Sequence, residues 1–207
     1  MKDILDAVES SQHCQRNWDL TKDIDPDHIK IFESIVKTVP SKQNIAYYKV
    51  HFITNRTIIE KIYMRSMTKK DNSDIDFYNP QILANLLVAF EEYWDIYSDV
   101  RGQAIAERTV KKQEYNDYTI HVDLHQSIGI ASGVLAFTAN YLGYKTGFCK
   151  CFDENEVKDI LKADKKIKLL LGIGYPKKYI PHTQHHIWTN HLLKPLPKTE
   201  IPIIKLP

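Results

Sequence analysis

The sequence predicts one domain that combines helices with strands, on three observations. Its 207 residues are enough to bury a sizeable core without metals or disulfides. Apolar residues recur at helical spacing in several segments, and other segments are short runs of β-branched and aromatic residues. No run of about 18 or more apolar residues, the length that spans a bilayer, is present, so we expect a soluble protein.

The chain begins with two predicted helices. Ile4 and Val8 recur at helical spacing, which indicates a first helix. Asp25 and Pro26 then form a start signal, because an acidic cap and a Pro in the first turn both favour a helix N-terminus. The apolar residues of this second helix continue to Val36.

The middle of the chain alternates strands with one helix. Tyr47 to Thr54 is rich in aromatic and β-branched residues and predicts a strand, and Thr57 to Met67 predicts a helix. The polar stretch Thr68 to Asp76 predicts a loop. The short apolar run Leu86 to Phe90 is typical of a central strand.

The second half predicts a buried helix, a short helix and a last strand. Ser127 to Leu142 combines small and apolar residues and ends before Gly143, which favours a helix at the core. Asp153 to Leu161 opens with a possible cap, and Lys168 to Ile173 predicts a core strand.

From residue 177 to 207 the sequence predicts an extended arm. Repeated prolines exclude a long helix or a central strand. The Ile203-Ile204 pair would be poorly placed in water, so we expect the arm to pack on a partner subunit, with a frayed tail as the alternative. The prolines are Pro181, Pro195, Pro197, Pro202 and Pro207.

Composition narrows the possible partners and compartments. The 28 basic and 26 acidic residues are interspersed along the chain, so a nucleic-acid footprint is not expected. Three cysteines do not make a disulfide framework, which indicates a reducing compartment. Residues 1–8 carry acids where a signal peptide needs an apolar stretch, so we expect a cytoplasmic protein.

Three short segments carry the most specific information. Gln12–Asp19 reads Gln-His-Cys-Gln-Arg-Asn-Trp-Asp, Pro40–Asn44 reads Pro-Ser-Lys-Gln-Asn, and Gly143–Phe148 precedes a later Gly-Tyr-Pro. In that order they resemble the nitroreductase family. The resemblance implies an α+β fold with a central, mainly antiparallel sheet between helices, and a homodimer that holds FMN at its interface.

The first segment resembles the family motif Arg-Arg-Ser-x-Arg/Lys-x-Phe. Arg16 takes the place of the cation that reaches the flavin pyrimidine, where positive charge favours the reduced ring; an exposed surface ion pair is the alternative. Gln12 replaces an Arg that helps bind phosphate, and Cys14 replaces a Ser that donates to FMN. Because an amide adds no charge and a thiol is a weak donor, both changes weaken that site. His13 retains a donor for the phosphate.

The second segment resembles the family's Pro-Ser-x-x-Asn, which begins a loop that contacts the flavin of the neighbouring subunit. The resemblance assigns cofactor binding to Pro40, Ser41 and Asn44, and an ordinary turn is the alternative. Asn79 stands before the predicted central strand, where family members offer an amide to the flavin pyrimidine.

The third segment continues into a stretch that resembles the loop whose backbone N–H groups face flavin N5 and O4. Gly147 would let the backbone approach closely, and Lys150 or Cys151 would supply the main-chain donor. A metal or redox pair is the alternative for Cys149 and Cys151, but their spacing is not the usual Cys-x-x-Cys.

The family closes its phosphate site with a cation shortly after Gly-Tyr-Pro, and this chain offers several candidates there. A metal site is the alternative for its His-rich patch, but that patch has no helix to fix the ligand geometry, and we expect no metal. The His121–His125 stretch offers the same alternative, and we interpret it as a helix start with a polar face. The phosphate candidates are Lys177, Lys178, His185 and His186, with Lys194 further away.

These resemblances imply an FMN-dependent NAD(P)H oxidoreductase. Hydride would pass by a ping-pong mechanism from NADH or NADPH to a nitroaromatic, a quinone or a similar electron-poor acceptor. No side-chain acid or base is needed, because the flavin carries the chemistry. The alternatives are another flavin enzyme on the same fold, which oxidises reduced flavin or removes a halogen, and a non-catalytic flavin-binding dimer.

Overall fold

The computed structural model describes residues 4–66, 68–69, 76–93, 117–177 and 200–205. The helices within these residues are α1 (Ile4–Ser11), α2 (Pro26–Thr38), α3 (Arg56–Tyr63), α4 (Asp117–Tyr141) and α5 (Glu154–Leu161). The strands are β1 (Tyr48–Ile53), β2 (Thr68–Lys69), β3 (Asp76–Phe77), β4 (Leu86–Glu92), β5 (Lys145–Cys149) and β6 (Ile167–Gly174). Two 3-10 turns, Lys42–Asn44 and Pro80–Leu83, complete the described elements.

Four strands form one sheet in the order β1-β4-β6-β5, and every neighbouring pair is antiparallel. This confirms the predicted α+β arrangement with a mainly antiparallel sheet. The predicted central position of the Leu86 strand is confirmed as well, because β4 lies between β1 and β6 and is buried over most of its length. Strands β1 and β5 are the two lateral edges.

Helices cover both faces of the sheet. On one face α2 and α4 bury Phe32, Leu124 and Leu135 in a cluster with Val88 and Leu171. On the other face α3 and α5 bury their apolar side chains against the alternate residues of β4 and β6, because successive side chains of a strand point to opposite faces. That second cluster includes Ile59, Ile62, Val157, Leu87, Ala89 and Leu170.

Local sequence signals explain where the helices begin. The Asp25 carboxylate accepts a hydrogen bond from Asp27 N at 2.9 Å, and Pro26 occupies the first turn, as predicted. Asp153 caps α5 in the same way, accepting from Asn155 N and Glu156 N at 2.9 Å each. The Asn55 side chain caps α3, so this helix begins at Arg56.

Two predicted boundaries were wrong. Helix α4 begins at Asp117 and not at Ser127, because its first turns are polar on one face and the prediction relied on continuous apolar residues. Helix α3 ends at Tyr63, well short of Met67, since Met64 already stands at the C-cap.

Two strands were missed. Lys145–Cys149 was assigned to a loop, but it pairs along β6 as the edge strand β5. The polar stretch from Thr68 begins with the two-residue strand β2, which pairs with β3. Both strands are short and owe their conformation to tertiary pairing.

The predicted arm is described only in part. Residues 178–199 and 206–207 lie outside the described residues. Within residues 200–205, Ile201, Ile203 and Ile204 are all strongly exposed. Of the helices in the described ranges, none combines the length and hydrophobicity that crossing a bilayer requires.

Candidate functional site

The first predicted motif lies along the β5 edge of the sheet. Gln15 N donates to Thr146 O at 2.8 Å, and Asp19 N donates to Tyr175 O at 2.9 Å. The indole N–H of Trp18 donates to Pro80 O at 2.9 Å, which ties the same segment to the turn before β4. The structure therefore brings together the Gln12–Asp19 segment, β5 and the neighbourhood of Asn79.

Close backbone packing at this edge requires Gly147. A Cβ built there would lie 2.6 Å from both Gln15 O and Gln81 Cβ, closer than real contacts allow. The predicted role of this glycine was close approach to a ligand. The described contacts show close approach to the protein's own Gln15 and Gln81, which holds the motif against the strand.

Arg16 projects from this segment with much of its hydrogen-bonding capacity unused. Its Nη1 donates weakly to Cys14 O at 3.4 Å, and its buried Nε has no partner in the described part of the chain. No carboxylate among the described residues forms an ion pair with it, so the predicted alternative of a surface ion pair finds no support there. The buried Asn17 Nδ2 likewise has no acceptor among the residues that the structure describes. Two uncommitted donors thus adjoin the β5 edge.

Two thiols near this edge, those of Cys14 and Cys149, are protonated at neutral pH. Burial raises the pKa of Cys14, although the Arg16 charge opposes the shift, and Cys14 Sγ lies 3.9 Å from Phe148 O. Burial also raises the pKa of Cys149 to about 12. Cys149 is buried whereas Cys151 is exposed, and both are free thiols. Because a thiolate is the reactive form, Cys14 and Cys149 are not activated nucleophiles.

Asn79 and Gln81 form a buried amide pair beneath the end of β5. Asn79 Nδ2 donates to Ser66 O at 2.6 Å and to Cys151 O at 3.1 Å, so both amide hydrogens are used within the protein. Its Oδ1 accepts from Gln81 Nε2 at 3.3 Å. Gln81 is only 5% exposed, and its Oε1 has no partner in the described residues.

Gln81 is a further candidate site residue, which the sequence analysis did not assign. A glutamine two positions after the predicted Asn79 was the available signal, but only the fold shows that its carbonyl oxygen is buried and uncommitted. An orphaned buried acceptor costs about 1–3 kcal/mol, so a ligand N–H here would be stabilising.

The turn after β5 offers main-chain donors. The Lys150 side chain points away into an ion pair with Glu154 at 2.6 Å, and Cys151 O accepts from Asn79. Neither backbone N–H of Lys150 and Cys151 has a hydrogen-bond partner in the described part of the chain. The predicted donors are therefore open, and Asn79 fixes the turn that carries them.

Pro40, Ser41 and Asn44 belong to a turn that is anchored near the start of α4, whereas β5 follows the end of that helix. Lys42 anchors their turn to α4 through Asp123, and no described hydrogen bond joins Ser41 or Asn44 to the β5 edge. Asn44 adopts a left-handed backbone with φ of 60°. One subunit thus presents two separate halves of the predicted cofactor site.

The predicted phosphate-binding residues are spread around the end of α1 and beyond it. Gln12 and His13 follow α1 directly and are exposed. Lys177 is exposed too, and its backbone N donates to Asn17 O at 3.1 Å, which places it beside the first motif. Lys178, His185, His186 and Lys194 lie outside the described residues.

Two further features lie away from the β5 edge. The rings of His121 and His125 touch within α4, with centroids 4.3 Å apart, but no group of three metal-ligating side chains occurs in the part of the chain described. A groove of about 490 Å³ opens between α2 and β1. Its lining is Glu33, Val36, Lys37, Ala46, Tyr48, Val50 and Phe52, none of which is a predicted site residue.

Comparison with protein families gives one match, to a model described as the nitroreductase family, over residues 10–175. No curated protein sequence matches the chain significantly.

Solved structures of similar fold agree with that match. A Staphylococcus epidermidis protein named as an NAD(P)H:FMN oxidoreductase has 14% identity and a TM-score of 0.67, covering 86% of this chain and 89% of its own. A Streptococcus pneumoniae nitroreductase family protein has 16% identity and a TM-score of 0.62 over 94% of each chain. A nitroreductase from Exiguobacterium sibiricum, solved with FMN, has 16% identity and a TM-score of 0.64 over 98% and 94%. These likenesses show the fold.

Proposed function

Because the chain belongs to the nitroreductase family, we propose that it is an FMN-dependent NAD(P)H oxidoreductase with a ping-pong mechanism. Its acceptor would be a nitroaromatic, a quinone or a similar electron-poor compound. Family membership supports a flavin oxidoreductase. The identities of the reductant and of the acceptor are our proposals. Bound FMN would supply the hydride-transfer chemistry, and the protein would bind, orient and polarise it.

The observation that carries this proposal is the set of uncommitted polar atoms at the β5 edge. Arg16 Nε and Asn17 Nδ2 are buried donors, and Gln81 Oε1 is a buried acceptor, all without described partners. The pyrimidine edge of an oxidised flavin presents several acceptors and one N–H donor. Its chemistry therefore matches what these three atoms lack, and the residues present fit the cofactor.

Each residue would have a separate task around the ring. The Arg16 guanidinium would hold the pyrimidine edge and stabilise negative charge there. The backbone N–H groups of Lys150 and Cys151 would orient the ring's opposite polar edge, and Asn79 would fix their turn. Hydride transfer through the flavin needs no side-chain acid or base, and the protonated Cys14 is no nucleophile.

The phosphate would bind near the end of α1. Gln12 would donate hydrogen bonds without adding charge, so His13 and Lys177 would contribute more of the attraction. We propose that His185 and His186 complete this site.

A second copy of the chain would complete the cofactor site. Ser41 and Asn44 do not meet Arg16 within one subunit, so they would reach the flavin of the partner. Helix α4 also presents a partly apolar exposed face in the described structure, with Ile130 41% and Val134 38% exposed. A Cβ added at Gly133, on the same face, would meet nothing within 4 Å, which leaves room for a second helix.

The arm of residues 177–207 would pack on the partner at its β1 edge. The lining of the groove between α2 and β1 includes the apolar Val50 and Phe52, and one edge of β1 pairs with no other described strand. In an extended segment Ile201 and Ile203 would enter this groove together, because alternate side chains point the same way. Pro202 suits an edge position, where its missing N–H costs nothing.

Compartment is inferred from the thiols. All three cysteines are free, which agrees with a reducing environment, and we propose the cytoplasm.

Anaerobic reduction tests the proposed function. Purified protein is loaded with FMN and mixed with NADH or NADPH, and the flavin absorbance is followed with time. We expect rapid bleaching with at least one nucleotide, and recovery when a quinone is added. Bound flavin that neither nucleotide bleaches would leave the non-catalytic flavin-binding dimer, which the Gln12 and Cys14 replacements motivate.

Identifying the products formed during aerobic turnover distinguishes a reductase from the other flavin enzymes on this fold. Reduced acceptor in proportion to nucleotide consumed supports the reductase. Products that contain oxygen from O2, or a released halide, would instead support another flavin enzyme on the same fold.

A further inference from the structure

One ion pair joins the Pro40–Asn44 turn to the core of the molecule. Lys42 Nζ lies 2.8 Å from Asp123 Oδ2 and 3.1 Å from Oδ1, so one ammonium spans both carboxylate oxygens. The two side chains differ in exposure: Asp123 is 4% exposed and Lys42 is 44% exposed. The carboxylate is therefore a fixed, buried anchor on α4, and the lysine is the part that reaches it from the surface turn.

The turn itself has few internal constraints. Two backbone bonds close it, Asn44 N to Ser41 O and Ile45 N to Lys42 O, each at 3.0 Å. The Ser41 side chain does not cap the turn, although serine commonly does so at this position. Asn44 is held at φ of 60°, a backbone conformation that needs support from its surroundings.

Two polar side chains of this turn, those of Ser41 and Asn44, have no described hydrogen-bond partner. No hydrogen bond of the Ser41 hydroxyl or of the Asn44 amide occurs within the described residues. Lys42 lies between Ser41 and Asn44 in the sequence, and its ion pair fastens the strained turn to α4. This arrangement presents the two polar side chains outward.

We infer that Lys42 and Asp123 are a positioning pair, which holds Ser41 and Asn44 in the orientation that binds FMN of the partner subunit. This rests on the proposed function. The pair also couples the turn directly to α4, whose exposed face is the proposed dimer contact. Cofactor contact and subunit contact would then be set by one rigid unit.

The test compares FMN affinity in four forms of the full-length protein. Lys42→Arg retains the charge and the reach, Lys42→Gln removes one charge, and the double variant Lys42→Gln/Asp123→Asn removes both without leaving a buried carboxylate unpaired. The FMN dissociation constant is measured by quenching of flavin fluorescence. Subunit association and the melting temperature of the cofactor-free protein are measured alongside.

We expect Lys42→Gln and the double variant to weaken FMN binding by about tenfold, the loss of one or two hydrogen bonds, while the protein stays dimeric. Lys42→Arg should restore affinity close to wild type. If the pair were purely structural, the variants would have lower melting temperatures and unchanged FMN affinity. That result would overturn the inference.

The double variant covers the case in which Lys42→Gln fails to fold. Wild-type protein that takes up no FMN at all would reject the proposed function itself. Wild-type uptake matched by equal uptake in the double variant would reject only the positioning pair.

Discussion

The two lateral edges of the sheet differ in how their polar groups are satisfied. At the β1 edge, Lys49 pairs with Asp164 at 2.6 Å. The buried Glu91 carboxylate contacts His51 Nε2 at 2.7 Å and accepts a hydrogen bond from Lys165 N at 2.8 Å. At the β5 edge, Arg16 has no described ion pair.

This difference indicates what each edge is built to receive. Each buried group without a partner costs about 1–3 kcal/mol, so the β5 edge holds free energy that a polar ligand can recover. The exposed Lys49–Asp164 pair is screened by solvent, and its two charges already satisfy each other. The β1 edge adds an apolar groove, which suits a chain segment and not a cofactor.

The largest expected effect is that of Arg16→Met. Removing this cation should weaken FMN binding by about 10- to 100-fold, the worth of a charge-assisted hydrogen bond, and lower the flavin reduction potential. Fluorescence titration and a potentiometric titration measure the two effects. Unchanged affinity would mean that the β5 edge does not hold the ring.

The matched change at the β1 edge is Glu91→Gln, which should act on stability alone. It removes the charge that His51 contacts, at a buried position, and should lower the free energy of unfolding by about 1–3 kcal/mol. Urea denaturation of the cofactor-free protein measures this. FMN affinity should not change, and a loss comparable to that of Arg16→Met would erase the contrast between the edges.

Alkaline pH should destabilise the β5 edge through Cys149. Its pKa rises from 9.0 to about 12 on folding, so above pH 9 the unfolded chain loses a proton that the folded chain retains. Stability therefore falls as pH rises from 9 toward 12, by about 1 kcal/mol at pH 10 from this group. Cys149→Ala should reduce the loss between pH 8 and pH 10, and an identical loss in both proteins would contradict the assignment.

The smallest effect expected is that of Cys14→Ser. A hydroxyl is a better hydrogen-bond donor than a thiol, so the variant should bind FMN about two- to fivefold more tightly. Calorimetric titration at constant pH resolves a change of this size. Equal or weaker binding would show that Cys14 Sγ does not face the cofactor.

The elements that depend on local sequence signals were predicted correctly. Asp25, Pro26 and Asp153 start helices by capping, and the apolar run from Leu86 is a strand because it is buried on both faces. Strand β5 was not predicted from the sequence, because Lys145–Cys149 becomes a strand only by pairing with β6. The polar stretch His121 to His125 was read as a helix start, and it does lie in the first turns of α4. Its ion pair between Asp123 and Lys42 was not predicted, because the two residues are far apart in the sequence.

In the candidate site too, residues marked by a local sequence motif could be predicted and residues that depend on tertiary packing could not. Arg16 could be proposed from the motif that it shares with the family, because its neighbours in sequence are its neighbours in space. Gln81 could not, because the argument for it is a buried oxygen without a described partner, and burial of that oxygen is a property of the folded chain. Long-range packing decides which amide is committed, as Asn79 is, and which one remains open.

Titration of the purified protein with FMN, followed by sedimentation of the complex, tests the central claim most directly. A cofactor bound at the β5 edge and shared by two subunits predicts saturation at one FMN per chain, in a dimer. A protein that sediments as a single chain and leaves added FMN unbound would contradict it.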